Sequence, residues 1–360
     1  MKKIVLLAAV LILCISGAAY AQSTVPVFCG DLAQEDCDLL TRSQEVMREL
    51  DSAGFGFTMN INVSNVPDMT EPVAIQIMGD GRFLGAQSIV SDMTAMESDP
   101  GQAMLSVLDN LDFEFSMTML LPPELMSEMD SSIPSEINLE MSLVDGVGYL
   151  NLDTLKPILG DLGDSDMSGW VGLDLAGLVR ALMEEMPDLF SGMTSGMTMG
   201  TMDPAAMQAY MEQFNDPEML NEFATIEKLD VGMPDETTFR ITVDFGAVMA
   251  NPTFRNMMMD MMRQQLEAQG MTLSESEMDQ TLAMSSQMLK SMVFTVDETI
   301  GTEDAYLRAV YGEFSLDMSS MMATMDTGSK SSAGEAAPTV SVNMTLFYNS
   351  HNMVPPITAP

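Results

Sequence analysis

The sequence predicts an α+β protein in which one large, curved antiparallel β-sheet wraps around methionine-rich α-helices. Three observations predict it. Apolar and polar residues alternate strictly over five separate runs, the pattern of strands that are dry on one side and wet on the other. Two blocks, at about 175–224 and 246–290, switch to helical spacing. The 41 methionines among 360 residues gather on those helices and on inward strand positions, where a flexible thioether fills irregular apolar space.

At the N-terminus, Lys2 and Lys3 precede an apolar run over 4–15, and Ala19-Tyr20-Ala21 gives a small-x-small step before Gln22. Residues 1–21 therefore read as an export signal cleaved after Ala21. The apolar run is short for a membrane-spanning helix. Cys14 follows Leu11-Ile12-Leu13, where a lipid-attachment box would place a small residue. The expected product is untethered and extracytoplasmic (periplasmic, envelope-located or secreted), with 22–360 forming one domain.

Cleavage leaves Cys29 and Cys37, an even pair suited to an oxidising compartment. Eight helical steps would separate their Cα atoms by about 12 Å, beyond the roughly 7 Å that a disulfide tolerates. Pairing thus requires Cys29-Gly30 to lie in a turn before the helix carrying Leu39, Leu40, Val46, Met47 and Leu50. A structural disulfide is the expectation, since the spacing does not fit the CxxC redox motif.

Five strands follow from alternation. Phe55, Phe57, Met59, Ile61 and Val63 share one face, with Gly56, Thr58, Asn60 and Asn62 on the other. Leu111, Phe113, Phe115, Met117 and Met119 repeat the pattern, as do Ile137, Leu139, Met141 and Leu143. Phe239, Ile241, Val243 and Phe245 follow, and then Val340, Val342, Met344 and Leu346. Weaker strands are expected at 73–78, 82–86, 147–152, 169–174, 226–232, 291–297, 304–311 and 313–318, roughly twelve in all. Asp145-Gly146 and Asp80-Gly81 read as hairpin turns. A doubly wound parallel sheet would show unbroken apolar strands instead.

In the first helical block, Leu178, Val179, Leu182, Met183 and Met186 run up to Pro187. Asp203-Pro204 and Asp216-Pro217 each place an N-cap before a proline at the first helical position, and Met207, Tyr210, Met211 and Phe214 lie between them. The second block carries Met257, Met258, Met261 and Met262, breaks at Gly270, and restarts at Ser274 with Glu277 as a capping box before Met278, Leu282, Met288 and Leu289. Residues 191–201 and the Gly/Ser/Ala-rich 327–338 read as flexible breaks within one domain.

A sheet this wide must cover its dry face, because each buried large apolar side chain is worth roughly 1.5–3 kcal/mol. The candidate ligand-binding positions are Phe55, Phe57, Met59, Ile61, Phe113, Phe115, Met117, Leu139, Met141, Phe239, Ile241 and Val243 on strands, with Met258, Met261, Met262 and Met288 on helices. Methionine in such numbers has two readings. It lines a deformable apolar pocket, or it stands in for leucine in an ordinary core.

Composition excludes several functions. With 14 basic against 53 acidic residues and a net charge of −39, the chain is no partner for nucleic acid. Its 46% hydrophobic content excludes disorder. A single histidine and three cysteines do not suit a zinc or iron enzyme. His351 would be the only imidazole base and reads as an ordinary surface residue, so no catalytic residues and no cofactor are expected. Carboxylate pairs such as Glu184-Glu185 and Asp235-Glu236 read as solvated faces. The run from Asp164 to Gly169 matches half of a calcium loop, but Leu175 stands where its bidentate glutamate would fall, so a polar turn is expected. Thioether sulfur also suits Cu(I), and Met193, Met197, Met199 and Met202 form the alternative metal site.

Three stretches carry a family likeness. They are Gly148-Tyr149-Leu150-Asn151-Leu152 with Gly169-Trp170-Val171-Gly172-Leu173-Asp174-Leu175; Val296-Asp297-Glu298-Thr299-Ile300-Gly301 with Asp304-Ala305-Tyr306-Leu307-Arg308; and Phe347-Tyr348-Asn349 with Val354, Ile357 and Pro360. In this order they resemble the LolA/LppX-like family of exported lipid and lipoprotein carriers, over about 55–360. The resemblance implies a half-barrel of long antiparallel strands closed by helices, with an apolar cavity for acyl chains and transient contact with a membrane or lipoprotein. The chain departs from the family in its missing lipid-attachment box, its excess of methionine and an acidity that opposes anionic membranes. The reading is an exported, non-enzymatic binding protein for a lipid or other apolar molecule. A methionine-rich Cu(I) protein and a structural envelope protein without ligand are the alternatives.

Overall fold

Alternation of apolar and polar residues fixes how the first and last strands meet. Strand β1 (Ser52–Ser64) runs antiparallel to β11 (Thr339–Asn349), setting Phe57 opposite Leu346, Met59 opposite Met344 and Ile61 opposite Val342. A slip of one residue would turn every one of these side chains to the wet face. The computed structural model describes residues 27–65, 72–87, 100–122, 134–159, 168–185, 217–268, 290–317 and 338–360, with isolated positions between 269 and 289. The export signal, the segments 191–201 and 327–338, the Asp203-Pro204 start and the carboxylates of the half calcium loop lie outside the described residues.

After α1 (Gln34–Arg48) and β1 come β2 (Val73–Leu84), α2 (Pro100–Asn110), β3 (Asp112–Leu120), β4 (Glu136–Val144), β5 (Val147–Asn151) and α3 (Leu152–Leu159). Then follow β6 (Trp170–Asp174), α4 (Leu175–Glu185), α5 (Pro217–Leu220), β7 (Ala224–Leu229), β8 (Glu236–Val243), α6 (Phe245–Ala250), α7 (Pro252–Ala268), β9 (Met292–Gly301) and β10 (Leu307–Asp317), before β11. The eleven strands form one antiparallel sheet in the order β6-β5-β4-β3-β2-β1-β11-β10-β9-β8-β7. Two meanders are thus joined where β1 meets β11.

The α+β class and the antiparallel sheet agree with the sequence. So does the turn at Asp145-Gly146, whose residues have φ of 51° and 75°, the left-handed pair that a two-residue hairpin requires. The disulfide is present: Cys29 and Cys37 lie 5.4 Å apart at Cα, with Gly30 at φ 47° and Leu32 N–H donating to the Cys29 carbonyl before α1 begins.

Four expectations are corrected. Asp80-Gly81 is no turn, for β2 runs straight through it and merges the strands expected at 73–78 and 82–86. The strands expected at 304–311 and 313–318 likewise form the single β10. The first helical block ends before 224, where β7 begins, and the second breaks at Asn251, whose extended backbone separates α6 from α7. Helices α2 and α3 replace segments read as loop or strand: Leu152 leaves β5 and starts α3.

Helix α1 covers one end of the sheet, with Leu39 and Leu40 packed on Ile226, Phe239 and Ile300. Leu155 of α3 packs against the cluster of Ile77, Phe115, Met117, Met119 and Leu139. Helices α2 and α4 pack on each other through Leu105, Ala176 and Val179.

Candidate ligand-binding face

Residues directly opposite in an antiparallel ladder point to the same side, so the registers assemble a face from single residues. Starting at β1, Phe55 lies opposite Gly81, which lies opposite Phe115, then Met141, Leu150 and Val171. In the other direction, Phe57 leads through Leu346, Val310 and Glu298 to Phe239. The row through Ile61 continues with Val342, Phe314, Phe294 and Val243. One apolar face therefore crosses the whole sheet.

The reverse face is wet. There Arg82 donates to Glu114 at 2.6 Å, and Ser116 to Asp80 at 3.1 Å. Arg240 holds Asp297 through two contacts of 2.7 Å, and the two hydroxyls of Thr238 and Thr299 lie 2.9 Å apart.

Three zones divide the apolar face. On β1–β3, Phe55, Phe57, Phe113 and Phe115 stack, with Phe57 and Phe115 at 6.0 Å and 3° between planes. Strand β2 lies between those rings. Its inward positions there are Gly79 and Gly81, and a Cβ on either would stand 2.7 Å from the ring of Phe57 or Phe55 respectively. Absent side chains let the rings lie across the strand and meet their partners. At the far end, α1 closes over Phe239 and Ile300, which are 0% and 1% exposed. Between these zones, Met59, Ile61, Val342, Met344, Leu346, Phe314 and Val310 are only partly buried.

The expected strand positions fall on this face as one surface. Phe115, Met117, Leu139 and Phe239 are buried, while Phe55, Phe57, Met59, Ile61, Phe113, Met141, Ile241 and Val243 are partly buried. Met258 and Met262 are partly buried on α7. Met288, the side chain of Met261, and Met193, Met197, Met199 and Met202 lie outside the described residues.

The face also carries polar groups that the period-two reading missed, Glu298 and Tyr348 among them. Glu298 occupies an inward position of β9, opposite Val310 and Phe239. Tyr348 does so on β11, opposite Phe55. Burial pushes the pKa of both above their ordinary values. The signal was available in Phe294, Val296, Glu298 and Ile300, a period-two run whose third member is a carboxylic acid.

His351 corrects the sequence reading: it is buried at 6% exposure. Its ring stacks on Tyr306 at 4.4 Å, and Nε2 lies 3.0 Å from the Leu307 carbonyl oxygen. That contact makes Nε2 the donor and leaves Nδ1 to accept from Arg308 at 3.4 Å. Burial lowers its pKa, the Leu307 carbonyl opposes this, and the Arg308 charge adds to the lowering. The imidazole pins the C-terminal turn to the start of β10. Among the described residues, no group of three or more His, Cys, Asp or Glu side chains converges on a metal position. No helix among them is long and apolar enough to cross a membrane.

The chain matches no protein-family model and no curated protein. Among solved structures it is similar to a LolA superfamily protein from Nitrosomonas europaea, at 8% identity over 87% of this chain and 90% of that one, with a TM-score of 0.14. A likeness that slight carries no argument about function.

Proposed function

We propose that this chain is an exported, non-enzymatic carrier of the half-barrel type, holding a lipid or other apolar molecule against the dry face of its sheet. The observation that carries the reading is the partial burial of the middle of that face. Seven large apolar side chains there keep accessible surface, whereas the helix-covered end is sealed. Leaving such a patch wet is costly, and a patch of this kind marks a binding surface. Each methylene withdrawn from water contributes about 0.8 kcal/mol, so a twelve-carbon chain would gain about 9 kcal/mol before association costs. The Cys29–Cys37 disulfide suits an oxidising, extracytoplasmic compartment.

Native mass spectrometry of protein purified without detergent tests this, alongside titration with a neutral fluorescent long-chain alcohol. Co-purified lipid or saturable binding of the alcohol is the expected result. Protein that carries no lipid and does not bind the alcohol would remove the proposal.

A further inference from the structure

The carrier reading leaves one residue unexplained. Glu298 sits where the residues directly beside it on its face are apolar: Val296 and Ile300 along β9, Val310 across on β10 and Phe239 across on β8, with Thr237 diagonal to it opposite Ile300. Among the described residues its carboxyl has no hydrogen-bond or ion-pair partner, and desolvation alone perturbs it. Lys228 lies one strand beyond Phe239 in the same row, but its ammonium is engaged by Asp36 of α1 at 2.7 Å. Of the other polar groups on the face, Thr237 carries no charge, and the phenol of Tyr348 is uncharged and likewise raised in pKa by burial. Protein crowds the Glu298 carboxyl, yet the residue keeps accessible surface.

A carboxyl in such a place weakens the fold, because its charge is poorly solvated and nothing compensates it. Leucine would fill the position more favourably. The cost is recovered only when a guest supplies the missing partner. A cation does so best: it restores the ionised acid and makes a charge-assisted hydrogen bond in surroundings where water competes weakly. The net charge of −39 points the same way, since it draws cations to the protein and repels anionic amphiphiles.

We infer that Glu298 is the anchor for the cationic head of an amphiphile whose apolar body lies along the open middle of the sheet face. The inference rests on the carrier reading. It narrows the guest from any apolar molecule to one bearing an ammonium group.

The test compares dodecylammonium, dodecanol and dodecanoate below their aggregation concentrations, on the delipidated full-length protein at near-physiological ionic strength. Dodecanol reports the apolar face alone, and the ratio of ammonium to alcohol affinity reports Glu298. Wild type should favour the ammonium over the alcohol by about tenfold or more, and bind dodecanoate most weakly. In Glu298→Gln the ratio should fall to within about twofold of unity, with dodecanol affinity kept. Glu298→Leu should lose the ratio in the same way while unfolding at higher denaturant, so a folding defect cannot imitate the result. A ratio that stays the same in both variants would mean that the ammonium is held by diffuse surface charge, and would overturn the inference. Equal affinity of wild type for all three probes would overturn it as well, leaving the carrier reading intact. If dodecanol itself does not bind, the carrier reading falls and the inference falls with it.

Discussion

Truncating one residue in each of two zones of the same face tests whether its middle is an open surface or a packed core. Phe239 is fully enclosed, packed with Leu39, Leu40, Ile226 and Ile300 beneath α1. Phe239→Ala should remove its transfer free energy and leave a cavity that α1 cannot fill, a combination that costs about 3–5 kcal/mol. Leu346 lies in the middle zone opposite Phe57 and Val310, and is only partly buried. Full burial of such a side chain is worth roughly 1.5–3 kcal/mol. Part of that is never realised at an exposed position and no closed cavity forms, so Leu346→Ala should cost about 1 kcal/mol. Urea unfolding of delipidated protein, analysed at constant slope, gives both values. Added alcohol should stabilise wild type more than Leu346→Ala, because ligand binding to the native state raises the unfolding free energy. Equal penalties of 3 kcal/mol or more at both positions would show a middle packed as tightly as the covered end, and the carrier reasoning would fail.

Three further outcomes are expected. Replacing Cys29 and Cys37 together by Ser should lower stability by about 2–3 kcal/mol, the chain-entropy value for so short a loop; an unchanged urea midpoint would contradict it. Gly81→Ala should destabilise, although Gly→Ala in a strand ordinarily helps, because the new Cβ meets the Phe55 ring at 2.7 Å and also the Glu114 carbonyl; a raised midpoint would show that the ring moves aside freely. His351 is held neutral by burial, so the unfolded chain binds its proton first. Its contribution is complete above about pH 6.5 and is lost as pH falls toward the lower folded value. His351→Asn should therefore flatten the fall in melting temperature between about pH 7 and pH 5, and identical profiles would refute the assignment.

Much of the sheet was legible because burial on one side writes itself into sequence as period two. Phe57, Met59 and Ile61 could be placed on one face from spacing alone, and the register with Leu346, Met344 and Val342 confirms it. Turns were less legible. Asp145-Gly146 and Asp80-Gly81 are the same dipeptide, yet the first has positive φ at both residues and the second is extended strand. What separates them is the strand pairing: Gly81 must admit the Phe55 ring, a demand set by the preceding strand β1 rather than by the residues beside Gly81 in the chain. His351 was misread for a related reason. Its flanking Ser350 and Asn352 are polar turn residues with φ of 54°, and only the return of the C-terminal turn onto Tyr306 and Leu307 buries it. Helix α3 escaped notice because Leu152 continues the alternation of β5 for one step before the chain turns.

The division of the face into zones also bears on why methionine is so frequent. Between β1 and β3 the wall is rigid: stacked rings held over Gly79 and Gly81 have little room to adjust. At the other end, α1 is tied down by the disulfide and by the Lys228–Asp36 pair, so its packing on Phe239 is fixed as well. On the carrier proposal, adaptation to a guest falls to the middle, where Met59 and Met344 lie opposite one another on the two strands that join the meanders. Unbranched thioethers can change rotamer without displacing backbone, and at that seam, among the described strands, lies the only pairing between non-consecutive strands. A substitution of both by Ile would keep the hydrophobicity while removing the freedom. Stability and adaptability thus make opposite demands on this pair, and methionine meets the second.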